Sequence, residues 1–314
     1  MTNNNPLLKS IRESAGIRLA VLFGSFFILL VLSSFISLAV DSVSAIGDRT
    51  KMLITSTVQC LLAFCIPAVL VAKYSGVNAV KWLELTRAPQ LKTIAGVILV
   101  YIISMPAMEW LIQWNANLHL PESMAPLEEV MRQWEANAEE ATKVLLDSQS
   151  LLSMIAGVLV VGILTGFSEE LFFRGGLQGI FTRTNIGSGA SVWLAAIVFS
   201  TMHFQFFGFF PRLLMGVFFG YLLIWTRSLW VPIFAHALNN SIVVISNYFT
   251  GSQTQSLITN RDEPSFLSSI GGIVLSIALT ATYLIIFKDY FFKNPASREN
   301  ESWQRSQLPP VSGR

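Results

Sequence analysis

Charge and cysteine are what this chain lacks. Only 13% of its 314 residues are Asp, Glu, Lys or Arg, against about 25% in an ordinary soluble domain, while 53% are hydrophobic. Two cysteines, Cys60 and Cys65, exclude a disulfide framework and a cysteine-rich zinc site; both sit in one apolar run and read as buried fillers. A formal net charge of +2 says little about partners, since its distribution matters more; no nucleic-acid partner is expected. No internal repeat, low-complexity tract or His-Glu-x-x-His zinc motif is present. With a mean hydropathy of +0.56, the composition is that of a polytopic membrane protein.

A helix needs roughly 20 apolar residues to cross a ~30 Å hydrocarbon core. About eight stretches qualify: Ile17–Val40, Met52–Ala72, Thr93–Ile112, Leu151–Phe173 (continuing further), Ser191–Phe207, the short Leu213–Trp225, Leu229–Ile245 and Phe266–Phe287. Backbone groups in lipid must satisfy one another, so the fold class is all-α. The first stretch is longer than the 7–15 residues usual in a signal peptide and reads as an uncleaved anchor despite Val43-Ser44-Ala45. With the N-terminus in the cytoplasm, only Arg49, Lys51, Arg132, Lys143, Arg212 and Arg261 of the 21 basic residues fall outside. Both termini are therefore expected in the cytoplasm, in a plasma (inner) membrane. Trp82, Trp110, Trp114, Trp193, Trp225 and Trp230 fall near span ends, where interfacial tryptophans belong.

The chain divides into 1–150, three spans plus a polar insertion; 151–247, a core of spans; and 248–314, a last span and a basic tail. In the insertion, 115–150, Leu127, Val130, Met131, Trp134, Ala138, Ala141 and Leu145 recur at helical spacing, with Glu128, Glu129, Glu135, Glu139 and Glu140 opposite. This predicts an acidic amphipathic helix between the third and fourth spans, a solvated connector or a substrate gate. His119 in the insertion has no assigned role. Residues 1–6 and the tail after Lys288 are expected to be disordered.

Against this apolar background six polar residues stand out: Glu169, Glu170 and Arg174, then His203, then His236 and Asn240. A charge at the bilayer centre costs about 2.5–3.5 kcal/mol on the most lenient scale, so such residues pair, line a cavity or do chemistry. Glu170 and Arg174, four apart, share a helix face and can pair; Glu169 points about 100° away. A desolvated carboxylate suits a general base. Each block alone has a plain structural explanation, an ion pair or an interhelical hydrogen bond, and only their joint occurrence favours a site. A proton-relay transporter is the least supported alternative, since no inverted repeat is found.

The pattern Glu169-Glu170-x-x-x-Arg174, Phe199-x-x-x-His203, His236-x-x-x-Asn240 resembles the CPBP family of intramembrane proteases. That group includes type II CAAX prenyl endopeptidases and bacterial Abi-type membrane proteins, some linked to bacteriocin immunity. The resemblance covers about Gly157 to Asn247, with Gly216, Gly220 and the run 228–233 adding to it. It implies an endopeptidase in which Glu169 activates water, His203 helps hold it, His236 and Asn240 stabilise the oxyanion, and Glu170 and Arg174 shape the site. It implies a peptide or protein substrate with a hydrophobic or lipidated end, presented by the bilayer. A divalent metal such as zinc, held by Glu169, His203 and His236, and a metal-free glutamate mechanism both stay open. So does a non-catalytic immunity or scaffold protein of the same fold. One geometric strain is visible: counted from the predicted cytoplasmic ends, His236 is shallow and His203 deeper.

Overall fold

The computed structural model describes residues 14–250 and 269–293, and all regular structure there is helical. The expectations for 1–6 and for the far tail lie outside the described residues. The last helix, however, runs to Lys293, so the tail does not begin at Lys288.

Among the described residues nine long helices carry the fold: α1 Ala15–Asp41, α2 Asp48–Tyr74, α3 Leu91–Ala116, α4 Ala125–Leu146, α5 Leu151–Phe181, α6 Ser188–Thr201, α7 Phe209–Thr226, α8 Trp230–Thr250 and α9 Ile270–Lys293. Among the described residues six are long and apolar enough to cross a membrane: α1, α2, α3, α5, α7 (counted from Phe206) and α9. The other two expected spans differ for separate reasons. α6 has 14 residues and a length of roughly 21 Å, and its chain turns at Met202 instead of continuing to Phe207. α8 has the length, but His236, Asn239, Asn240 and Asn247 dilute its hydropathy. The stretch at Leu213–Trp225, read as short, is a full-length helix.

The two ends of the bundle are well marked. At one end lie the start of α1, the 82–87 loop, Arg183, Arg227 and the end of α9: Arg183 donates to the Trp82 carbonyl, Ser228 to that of Arg87, and Phe287 lies beside Gly96. At the other end Arg49 reaches the Leu145 and Ser153 carbonyls, and Asn247 that of Leu146. The first and last described helices thus have their outer ends on the same face of the molecule.

Three stretches widen into π turns: Cys60–Cys65 in α2, and Val158–Leu164 and Leu171–Gln178 in α5. A π turn frees carbonyls that an α-helix would occupy, and polar side chains take them up. The Thr165 hydroxyl donates to Val160 O, and Asn240 of α8 donates to Val161 O. In α3 the interruption is Pro106, and there Ser276 of α9 accepts from Ala107 N and donates to Ile103 O.

The main core gathers Leu22, Phe26, Ala63, Val71, Phe172, Phe173, Leu177, Ala195 and Phe199 around α5. Trp82, expected at the interface, is 3% exposed and lies between the guanidiniums of Arg18 and Arg183. Cys60 is buried; Cys65 is half-buried. The acidic helix α4 forms, but its packed face is rotated from the expected apolar stripe. Leu127, Val130 and Trp134 stay exposed, whereas Glu128 accepts from Leu120 N, His119 and Arg132, and Glu135 accepts from Phe207 N.

Candidate active site

α5 and α8 cross at the level of Glu169 because both give way. Gly166 has no side chain where a Cβ would stand 2.8 Å from Ala237 N, so the two backbones touch. That approach brings Glu169, Glu170 and His236 together.

Glu170 and Arg174 are both wholly buried, and Arg174 Nη1 donates to Glu170 Oε1 at 2.8 Å. The guanidinium also donates through Nη2 to Gly216 O at 3.0 Å and lies over the rings of Phe199 and Phe219. The same Glu170 Oε1 meets His236 Nδ1 at 2.8 Å. A carboxylate beside a guanidinium is an acceptor, which puts the imidazole proton on Nδ1. Nε2 is then left facing Glu169 Oε2, 3.7 Å away. Phe219 stacks on the His236 ring at 5.1 Å and 22°, fixing its plane. The order is Arg174, Glu170, His236, Glu169, running from fully buried to partly exposed.

His203 lies past the last turn of α6. Its ring folds back so that Nδ1 donates to Phe199 O at 2.8 Å, leaving Nε2 as the free acceptor. Phe199 touches both imidazoles, at 4.9 Å for His203 and 5.9 Å for His236. The depth strain noted in the sequence is relieved in this way: α6 is short, and the His203 ring reaches back toward the level of Phe199. His203 also lies within electrostatic range of Glu169, His236 and Arg212.

Asn240 stands one turn beyond His236, but its amide donates to Val161 O at 3.2 Å and its Oδ1 accepts from Asn239. Its visible partners are structural. As to a metal, no group of three His, Cys, Asp or Glu side chains among the described residues is close enough to hold an ion, whereas catalytic zinc sites take three protein ligands. No step below passes through a metal.

Several contributors were missed by the sequence reading. Asn115 of α3, 1% exposed, donates to Phe206 O and accepts from Phe210 N, and Arg212 holds Gln205 by its carbonyl and side chain. Together with Ser200, which donates to Phe209 O, they fix the turn that carries His203. Intramembrane polarity was the available signal for Asn115 and Arg212; nothing in the sequence marked Phe219 as the platform under His236.

Residues 151–242 match the family model described as "Type II CAAX prenyl endopeptidase Rce1-like". Two curated proteins of Bacillus subtilis (strain 168) are similar: "Uncharacterized protein YpbD", 30% identical over 92 residues (28% of this chain, 44% of the relative), and "Putative membrane peptidase YdiL", 29% identical over 120 residues (35% and 48%). This chain thus spans less than half the length of the curated relatives it matches. No solved structure matches. Every residue of this polar set, from Glu169 to Asn240, falls inside the segment that matches the Rce1-like type II CAAX prenyl endopeptidase family model.

Proposed function

We propose that the protein is an intramembrane endopeptidase that hydrolyses a peptide bond in a substrate with a hydrophobic or lipidated end. The observation that carries this is the buried line from Arg174 through Glu170 and His236 to Glu169. Glu169, the partly exposed member, is the base that takes a proton from water. His236, oriented by Glu170 on Nδ1, presents Nε2 to the same space. As an imidazolium it donates there to the oxyanion or to the leaving amine. Arg174 holds the Glu170 carboxylate in place, and Glu170 in turn fixes the His236 ring through Nδ1. His203, with Nε2 free, is the second acceptor that holds the water. The end carrying Arg18, Lys73, Arg183 and Arg227 is the cytoplasmic one, by the excess of basic residues there.

The test is cleavage of a membrane-tethered peptide library by the purified full chain. Glu169→Ala and His236→Ala are each expected to lower turnover at least ~100-fold, as loss of a base or an oxyanion donor does. Turnover equal to that of the native chain in both would sink the assignment. Chelator is expected to leave the native rate unchanged; loss restored by zinc would replace the glutamate-only mechanism with a metal one.

A further inference from the structure

At the end of the bundle that bears Trp82 and Arg227 lies a second compartment, a cavity of about 370 Å³. Its polar lining includes Arg174, Arg183 and Arg227, against one carboxylate, Glu84. Arg183 is anchored across its floor, donating to Gly179 O and Trp82 O and lying 3.7 Å over the Trp82 ring. Arg227 is held more loosely, 3.4 Å from Glu84. Both of these residues adopt left-handed backbone, with φ of 53° at each, a conformation that costs of order 1–3 kcal/mol outside glycine and clusters at ligand sites.

Two further features point inward. The N-terminus of α6 opens on the cavity at Gly187 and Ser188, with Gly187 at φ +82° and no side chain capping the first turn. Uncapped amides with the helix dipole behind them favour an anion. Two buried donors that line the cavity also have no hydrogen-bond partner among the described residues: Trp82 Nε1, on a side chain 3% exposed, and Arg174 Nε, wholly buried. Trp82 Nε1 faces the cavity wall at Gly179, 3.8 Å from where a Cβ would stand. Burial, with Arg18 and Arg227 nearby, holds the Arg183 guanidinium down to about 10 in spite of Glu84.

We propose that this cavity is a binding site for a phosphate group, clamped by Arg183 and Arg227 against the N-terminus of α6. The guanidinium fork suits phosphate oxygens, and the cavity sits at the level of the helix ends, where lipid headgroups lie. The site shares only Arg174 with the proposed catalytic line; Glu169, His203 and His236 do not line it, and the phosphate clamp does not require the peptidase reading. Its two sources, a phospholipid headgroup and free phosphate, share the chemistry.

The experiment uses the purified full chain in dodecyl maltoside micelles, which carry no phosphate, with two probes: inorganic phosphate in solution, and phosphatidylglycerol added to the micelle. Melting temperature and direct binding are read for the native chain, Arg227→Gln and Glu84→Gln. A saturable rise in melting temperature with either probe is expected. Arg227→Gln should weaken binding about tenfold, the loss of one charge-assisted contact. Glu84→Gln should tighten it several-fold by releasing Arg227, and it remains decisive if Arg227→Gln fails to fold. A response to phosphatidylglycerol alone identifies a headgroup; an equal response to inorganic phosphate identifies a soluble anion. No saturable effect from either probe overturns the proposal, and so does a Glu84→Gln variant that binds like the native chain.

Discussion

Glu170 Oε1 accepts from two charged or chargeable donors at once, Arg174 and His236, at 2.8 Å each. Removing one member of a buried pair strands the other, at a cost of about 3–5 kcal/mol, so truncating Glu170 or Arg174 perturbs folding along with the candidate site. Asn240 separates the two effects. If its amide serves the carbonyl freed by the π turn at Val161, Asn240→Ala lowers the melting temperature while slowing cleavage only modestly, less than tenfold. A loss near that of His236→Ala with an unchanged melting temperature would restore it to the oxyanion role. The Glu170–Arg174 pair was legible in the sequence because four residues on one helix fix their own neighbourhood. Phe219 and the Gly216 carbonyl were not, because their contacts are set by how α7 docks.

Among the elements, α3 and α9 are joined at a point that neither helix could satisfy alone. Ser276 bridges Ile103 O and Ala107 N where Pro106 disturbs the ladder, so Ser276→Ala should cost on the order of 1 kcal/mol, read as a lower thermal midpoint in detergent. The acidic helix α4 responds to pH. The Leu120 amide, followed by Arg132, holds the Glu128 carboxyl down to about 2 from an ordinary 4.5. A depressed folded-state value means that this contribution is fully present above about 4.5 and fades as pH falls toward about 2. Protection of the Leu120 amide, its exchange compared with the intrinsic rate at each pH, should fall through that window in the native chain and not in Glu128→Gln. The helix itself was readable from its periodicity, but its rotation was not. Glu128 and Glu135 turn inward because backbone amides at Leu120 and Phe207 need acceptors. The π turns were equally hidden, since Val158–Leu164 has the composition of any apolar α-helix.

For the whole molecule, the distribution of Lys and Arg along the chain anticipated which loops share an end of the bundle, since Arg18, Arg183 and Arg227 do meet there. Helix count was less legible: apolar length alone could not tell that α6 stops at Thr201, because the stop is made by polar ties from Asn115, Ser200 and Arg212 around the following turn.

Arg174 has a double position, gripping Glu170 on one side and lining the arginine-rich cavity on the other. A single guanidinium, backed by Phe199 and Phe219, therefore stands where the buried Glu170–His236 line meets the arginine-rich cavity. A fixed cation at such a junction repels hydronium and sodium, as it does in water-selective pores. Proteoliposomes loaded with a pH-sensitive dye should hold an imposed proton gradient with the native chain and dissipate it faster with Arg174→Ala. The residue that pairs with Glu170 would then also keep the membrane electrically tight.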